Sequence, residues 1–207
     1  MYNNLKTAKL KNLFHVILGL TLMVTINSKA SAQERETTKT KFSIEIDPAT
    51  FAFKGYGVHL RMQPKNNDHL LIGVGTYAMD FPDLIVNFNP KNKDKGWDVR
   101  LTQGYGLFGE FHFSEVNKKF FIGTQLATQA YEIKNKNEPG SEDFNTFLGL
   151  GYGGYTIQPF KNNGFYIKTW MGVGYTAKTK GESKLGNSEY DVSPVLLFAA
   201  VHLGYTF

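Results

Sequence analysis

The stretch Val195-Leu-Leu-Phe-Ala-Ala-Val-His-Leu-Gly-Tyr-Thr-Phe207 alternates between two kinds of side chain. One face carries Val195, Leu197, Ala199, Val201, Leu203, Tyr205 and Phe207. The other face carries Ala200, His202, Gly204 and Thr206. A period of two residues is typical of a β-strand that presents one apolar face. The stretch therefore predicts a long β-strand whose two faces meet different surroundings.

Seven earlier segments have the same character: 41–46, 55–63, 69–79, 97–114, 119–134, 143–159 and 164–178. The connections alternate between short ones (Pro64–Asp68, Glu115–Lys118, Phe160–Gly164) and longer ones (Asp47–Lys54, Asp80–Gly96, Asn135–Glu142, Lys180–Asn187). This alternation is typical of transmembrane β-barrels. We predict an all-β fold: an antiparallel up-and-down transmembrane barrel of eight strands over residues 41–207. A single bent strand over 41–63, kinked at Pro48, would reduce the count to seven.

Composition and charge exclude several classes of function. The chain has 21 Gly, 17 Phe, 11 Tyr and 2 Trp, which favours β-structure, and no Cys, which excludes disulfides and thiolate metal sites. The net charge is +5, but the first 32 residues contain four lysines and no acid. The rest carries 19 of the 23 basic side chains against 18 acidic ones. We therefore expect no nucleic-acid partner.

The N-terminus predicts a cleaved signal peptide over residues 1–32. Lys6, Lys9 and Lys11 precede an apolar run from Leu13 to Val24, and Ala30-Ser31-Ala32 supplies small residues at the cleavage site. Twelve apolar residues are too few for a membrane helix, which needs about 20. Residues 33–40 have no apolar face and are predicted to be a flexible lead-in.

The signal peptide together with the terminal Val201-x-Leu203-x-Tyr205-x-Phe207 resembles Gram-negative outer-membrane barrels, and the size resembles the small OmpA/OmpX-like kind. The resemblance implies a location in the outer membrane, in contact with its lipid. It also implies that Leu203, Tyr205 and Phe207 form a C-terminal signal for the barrel-assembly machinery.

The distribution of charge favours this class over a secreted lipocalin-like barrel. On the fourth strand, regular alternation puts Arg100, Glu110 and His112 on one face. It puts Val99, Leu101, Tyr105 and Leu107 on the other face. A membrane barrel turns the apolar face to lipid and keeps the ions inside, whereas a soluble barrel would bury the apolar face.

Six ionisable side chains are predicted to enter the lumen near the short connections: His59, Arg61, Glu110, His112, Lys168 and His202. An eight-stranded barrel is just wide enough to be filled by side chains, so we interpret these residues as a polar network that plugs the lumen. We expect Glu110 to pair with Arg61 or Lys168. A metal site made of the three histidines is a weaker alternative, because no short ligand spacing supports it. No metal or other cofactor is predicted.

The leading functional prediction is a non-enzymatic barrel with a structural or surface-interaction role. Its apolar loop residues are candidates for a hydrophobic-ligand or partner site: Phe51, Phe53, Phe81, Leu84, Ile85 and Phe88. One alternative is a lipid A acyl enzyme, since His112-Phe113-Ser114 resembles the His-x-Ser spacing of lipid A deacylases. The other alternative is a narrow channel. No catalytic residue is assigned.

Overall fold

In the computed structural model, residues 39–160 and 163–207 are described, and eight antiparallel strands form a closed barrel. The strands of the barrel are β1 (Lys41–Ile46), β2 (Tyr56–Gln63), β3 (Leu70–Asp80), β4 (Trp97–His112), β5 (Lys119–Asn135), β6 (Glu138–Ile157), β7 (Phe165–Gly181) and β10 (Val195–Thr206). The predicted all-β barrel is confirmed. The predicted signal peptide, 1–32, and residues 33–38 of the predicted lead-in lie outside the described residues.

The long connections contain four short elements: α1 (Pro48–Ala52), α2 (Asp83–Val86), β8 (Lys184–Leu185) and β9 (Ser188–Glu189). The Asp47 carboxylate caps α1 by accepting a hydrogen bond from the Ala49 amide at 3.0 Å, and Pro48 occupies the first helical turn. This helix start separates β1 from β2, so the seven-strand alternative is wrong. Within the described residues, no helix is long and apolar enough to cross a bilayer.

The seam between β1 and β10 is short. Ser43–Ile46 pair with Leu203–Thr206 in four residue pairs, and Val195–His202 pair with β7 alone. β1 ends at Ile46 because Asp47 and Pro48 begin α1, and proline cannot donate to a strand ladder. α1 packs against β2, β3 and β10.

The two ends of the barrel differ. The short-turn end carries the connections 64–69, 113–118 and 158–164, and the long-loop end carries 47–55, 81–96, 136–137 and 182–194. The predicted loop Asn135–Glu142 is wrong, because β5 continues to Asn135 and β6 begins at Glu138. Asn135 pairs directly with Glu138, so these two strands meet in a two-residue turn.

A β-bulge at Thr102 reverses the faces of the upper part of β4. The register shifts between Leu101 and Gln103 against β5, and between Leu101 and Gly104 against β3. One extra residue moves every earlier side chain to the opposite face. The predicted faces of Val99, Leu101 and Arg100 are therefore wrong: Val99 and Leu101 are buried inside the barrel, and Arg100 lies on the outside, paired with Asp80.

Because of this reversal, the long-loop end encloses an apolar core. Its buried members are Val86, Trp97, Val99, Leu101, Tyr131, Ile133, Phe144 and Leu185. Val86 comes from α2 and Leu185 from β8, so both long loops fold over the opening and contribute to the core. The interior is thus apolar at this end and, as described below, ionic nearer the short turns.

The bulge yields a test of the fold. Val99→Asp places a carboxylate without a partner at a site with 0% exposure, and we expect it to lower the free energy of unfolding by at least about 3 kcal/mol. Urea unfolding followed by the fluorescence of Trp97 and Trp170 measures this loss. Asp98→Asn, on the exposed outer face of the same strand, is the control and should stay within about 0.5 kcal/mol. Equal stability of Val99→Asp and the native chain would contradict the reversed faces.

Candidate functional site

All six predicted lumen residues point into the barrel and are almost completely buried, with exposures between 0% and 5%. The strands bring them together around a seventh residue, Glu45 of β1, which is also fully buried. Glu45 was not among the predicted lumen residues. Its signal was nevertheless present, because Ser43 and Glu45 alternate with Phe42, Ile44 and Ile46, which are exposed on the outer face.

Four charged side chains form the centre of the site. Lys168 Nζ lies 2.6 Å from Glu45 Oε1 and 2.7 Å from Glu110 Oε2, and so it bridges the two carboxylates. Arg61 Nη2 lies 3.2 Å from Glu45 Oε2 and 3.7 Å from Glu110 Oε1. Glu110 therefore lies beside both of the cations considered as its partner. The two negative and two positive charges of these four residues balance.

Each carboxylate also accepts a hydrogen bond from a tyrosine. Tyr166 Oη donates to Glu45 Oε1 at 2.8 Å, and Tyr152 Oη donates to Glu110 Oε1 at 2.9 Å. Both tyrosines are buried. These donors occupy carboxylate lone pairs that the two cations leave free. A carboxylate that is removed from water needs such hydrogen bonds to replace those that water would have made.

The histidines complete the shell of donors. His202 Nδ1 lies 3.1 Å from Glu45 Oε2, and Trp170 Nε1 donates to His202 Nε2 at 3.2 Å. Because an indole N–H only donates and a carboxylate only accepts, His202 is the neutral tautomer with its proton on Nδ1. His112 Nε2 likewise donates to Glu110 Oε2 at 3.2 Å. The neutral His202 adds no charge to the balanced centre.

Aromatic rings surround the cations. The Arg61 guanidinium lies 4.1 Å from the centroid of Phe108, and Lys168 Nζ lies 5.2 Å from that of Phe121. His59 stacks on His202 at 4.8 Å between ring centroids. Three buried nitrogens of the cluster have no hydrogen-bond partner in the described residues: Arg61 Nη1, His59 Nδ1 and His112 Nδ1. Ion pairs and the packing of aromatic rings therefore both hold this network in place.

The short-turn end is closed across its opening. Asn117, in the β4–β5 turn, donates through Nδ2 to Thr206 Oγ1 on β10 at 3.2 Å. β10 lies on the opposite side of the ring from β4 and β5, so this contact spans the lumen. Val116 is buried beside it, and its amide donates to the Asp68 carbonyl at 2.7 Å.

The arrangement does not assemble the sites considered for catalysis or metal binding. His112 has 0% exposure, and no hydrogen bond joins its imidazole to Ser114 in the described structure. Among the described residues, no group of three or more His, Asp or Glu side chains is placed to hold a metal ion. What the geometry can do is neutralise charge inside the barrel and fill its interior.

The similarity of this chain to known proteins is confined to solved structures. No protein-family model matches the sequence, and no curated protein matches it. Among solved structures, the chain is similar to the N-terminal β-barrel domain of Pseudomonas aeruginosa OprF. The identity is 13%, the match covers 84% of this chain and 100% of that chain, and the TM-score is 0.45.

The predicted loop residues divide into two groups. Phe51, Phe53, Leu84, Ile85 and Phe88 are exposed, with Leu84 at 81%. Phe81 is wrongly included in an exposed patch, because it packs on the apolar core, with its ring 5.8 Å from that of Tyr131. The two loops are joined where the Asp80 amide donates to the Phe53 carbonyl at 2.8 Å.

Loop 81–96 is fastened to loop 182–194 at Asp191. Asn89 Nδ2 and Lys91 Nζ donate to the Asp191 carboxylate at 2.9 and 3.0 Å. The Asn89 amide and the Lys91 ammonium lower the pKa of Asp191. Asn92, which is 1% exposed, exchanges hydrogen bonds with the Asp191 backbone. These hydrogen bonds therefore hold loops 81–96 and 182–194 together at the long-loop end.

The ionic centre yields a second prediction. Glu110→Gln leaves Lys168 and Arg61 with one carboxylate between them, and we expect the free energy of unfolding to fall by about 3–5 kcal/mol. Glu142→Gln, on an exposed part of β6, is the control and should change stability by less than about 0.5 kcal/mol. Urea unfolding measures both. An unchanged midpoint for Glu110→Gln would mean that these contacts do not stabilise the barrel.

Proposed function

We propose that this chain is an integral outer-membrane barrel with a closed lumen, and that its function is structural or depends on interactions of its long-loop end. The observation that carries the proposal is a continuous band of exposed apolar side chains around the outer face. Met171, Leu107 and Leu197 in this band are 70%, 61% and 65% exposed. Water would make such a band costly, whereas lipid is its natural solvent.

The height of the band supports a bilayer. Outward residues are apolar or small from Phe120 to Ala130 on β5 and from Phe147 to Ile157 on β6, eleven residues on each strand. A tilted strand needs about 9–11 residues to cross the hydrocarbon core. Charged side chains follow at the long-loop end, with Glu132 and Lys134 on β5 and, after Asn145, Asp143 on β6.

Aromatic side chains mark the other edge of the band. Phe113, Phe120, Tyr205 and Phe207 are 61%, 63%, 48% and 68% exposed and lie beside the short turns or the C-terminus. Outer-membrane barrels carry such aromatic girdles, with short turns on the periplasmic side and longer loops outside the cell. We therefore assign the long-loop end to the extracellular side.

The interior supports a barrel that does not conduct. The balanced ionic centre, the turn that spans the short-turn end and the apolar core under the long loops all fill the lumen. An open pore through a barrel of eight strands would need the space that these side chains occupy. The closed interior favours a structural or surface role over the channel alternative.

The two ends of the sequence also support this role. Residues 1–32 would act as the signal peptide. The outer face at the end of β10 carries Leu203, Tyr205 and Phe207, and the barrel-assembly machinery would bind them there. The exposed side chains of Phe51, Leu84, Ile85 and Phe88 would be the surface for a hydrophobic ligand or partner.

Membrane insertion is tested by a charge in the band. We expect Met171→Arg to lower the stability of the full-length protein in lipid vesicles by about 2–4 kcal/mol, because arginine near the bilayer midplane faces hydrocarbon. Thr179→Arg, on the same strand beyond the band, is the matched control and should change stability little. In water a side chain as exposed as Met171 would tolerate arginine, so equal stability of the two variants would contradict the membrane location.

The closed lumen is tested separately. The full-length protein inserted into planar bilayers should give no steady conductance, because the ionic centre and both closed ends leave no continuous path for ions. A general porin recorded under the same conditions is the control for insertion and sensitivity. A stable open level that follows insertion of this protein would favour the narrow channel instead.

A further inference from the structure

One strand edge in the wall of the barrel has no strand beside it. β10 pairs with β1 at residues 203–206, whereas residues 195–202 pair with β7 alone. The outward side chains of this stretch belong to the apolar band, with Leu197 and Val201 at 65% and 47% exposure. An unpaired edge at this depth is costly, because hydrocarbon offers its N–H and C=O groups no partner. A stable wall therefore needs another element beside this edge.

That element is the short helix α1. It begins just after β1 ends and packs against both β2 and β10, the two neighbours of β1 in the ring. Where β1 is absent, two strand spacings would separate β2 from β10, and this distance of about 10 Å is also the width of a helix. α1 thus occupies the place in the wall that a longer β1 would fill.

The hydrogen bonds that hold α1 lie on one side of it. The Asp47 amide donates to the Gly57 carbonyl of β2 at 3.0 Å, and the Asp80 amide of β3 donates to the Phe53 carbonyl at 2.8 Å. Among the described residues, no hydrogen bond or ion pair joins residues 47–55 to β10. α1 is therefore bonded to β2 and β3, and it contacts β10 by packing alone.

The inward face of the same stretch of β10 is incompletely covered. Leu196, Phe198 and Ala200 share the parity of the lumen face, yet all three are partly exposed. Trp170 of β7, which pairs with Ala200, is partly exposed too. By contrast, Leu150 of β6 lies at the level of Leu196 and is only 4% exposed. The interior is therefore fully packed beside β6 and leaves an apolar slot beside β10, lined by Leu196, Phe198, Ala200 and Trp170.

We propose that this slot binds one acyl chain of a lipid from the extracellular leaflet, and that the chain enters between α1 and β10. The inference rests on the proposed membrane location, which places acyl chains against Leu197 and Val201 on the outer side of the same strand. It adds a binding site inside the wall and the class of ligand that occupies it.

The lining of the slot selects an uncharged chain. Its one polar group, the indole N–H of Trp170, already donates to His202 at 3.2 Å, so a charged ligand would find no partner there. Apolar side chains beside an unfilled space lose dispersion contacts, and a chain of methylene groups restores them. The ligand therefore gains packing in the slot that the bilayer alone does not give it.

The orientation of the barrel excludes a second copy of β10 as the occupant. Two barrels in one membrane both turn their long loops to the extracellular side. Two β10 edges that met in this way would run parallel, with the lumen face of one strand beside the lipid face of the other. No continuous apolar band would result, whereas an acyl chain continues the lipid that already covers the band.

Trp170 reports directly on the slot. The sequence has one other tryptophan, Trp97, whose indole nitrogen has no hydrogen-bond partner, so Trp97→Phe removes no hydrogen bond. We place the full-length Trp97→Phe protein in vesicles of phosphatidylcholine with bromine atoms in the middle of one acyl chain, which quench an indole that they contact. We expect Trp170 to lose most of the fluorescence that it shows in unbrominated vesicles.

A matched pair of variants on adjacent residues of β10 locates the chain. Ala200→Phe fills the slot and should roughly halve the quenching of Trp170, because no space for the chain remains. Ala199→Phe points to the lipid side and should leave the quenching unchanged. If Ala200→Phe gives no heat-modifiable folded band on an SDS gel, Ala200→Val replaces it and should give a smaller decrease. Equal quenching in the folded slot variant and the Ala199→Phe control would overturn the proposal.

Two further arms separate this inference from the membrane location and identify the source of the chain. Met171→Trp in a Trp97→Phe, Trp170→Phe background puts the indole on the lipid side of β7. If this indole is quenched and Trp170 is not, the slot is wrong and the membrane location stands. If neither is quenched, the membrane location itself fails. Quenching of Trp170 by a brominated fatty acid added from water, but not by brominated lipid, would contradict entry from the leaflet.

Discussion

Two carboxylates and two cations without access to water must neutralise one another inside this barrel, and the rest of the structure depends on that constraint. The four groups come from β1, β2, β4 and β7. An ion left alone there would cost several kcal/mol, so no subset of these strands can form a stable interior. Only the closed ring in its correct register brings Lys168 between Glu45 and Glu110. The four charges thus specify the register of the strands, although removing these charges from water costs free energy.

Polarity changes along the barrel axis, and one bulge makes the change possible. Between the short turns and Gln103, β4 presents apolar residues such as Leu107 outward and Glu110 inward. Beyond Thr102 the assignment is reversed, with Val99 inside and Arg100 outside. A regular strand would have buried Arg100 in the apolar core and exposed Val99 on the outer face. The extra residue lets one strand present apolar side chains outward along one part and charged side chains outward along the next.

Period-two alternation explains why so much of the barrel was predictable from the sequence. It predicted the eight strands of the barrel, and the six predicted lumen residues lie on the buried face, because the face of a residue follows from its parity along a regular strand. Parity fails at Thr102, because neither Thr102 nor Gln103 is a residue type that marks a bulge, and Val99 was therefore assigned to the wrong face. Glu45 was missed because its strand is short, and its partners Tyr166, Lys168 and His202 lie 121, 123 and 157 positions away. Such pairings follow from ring closure, which local patterns do not contain.

The short seam between β1 and β10 also sets an order of events during synthesis. The strand that completes the ring is the last segment of this sequence to leave the ribosome, and its partner is the first strand. Until β10 exists, Glu45 lacks His202 and the wall has two open edges. A partial barrel therefore lacks both the closing strand and one of the partners of Glu45. A polypeptide with this topology can close its ring only after the last strand is available to the first, and until then its two edge strands are free to pair with other chains.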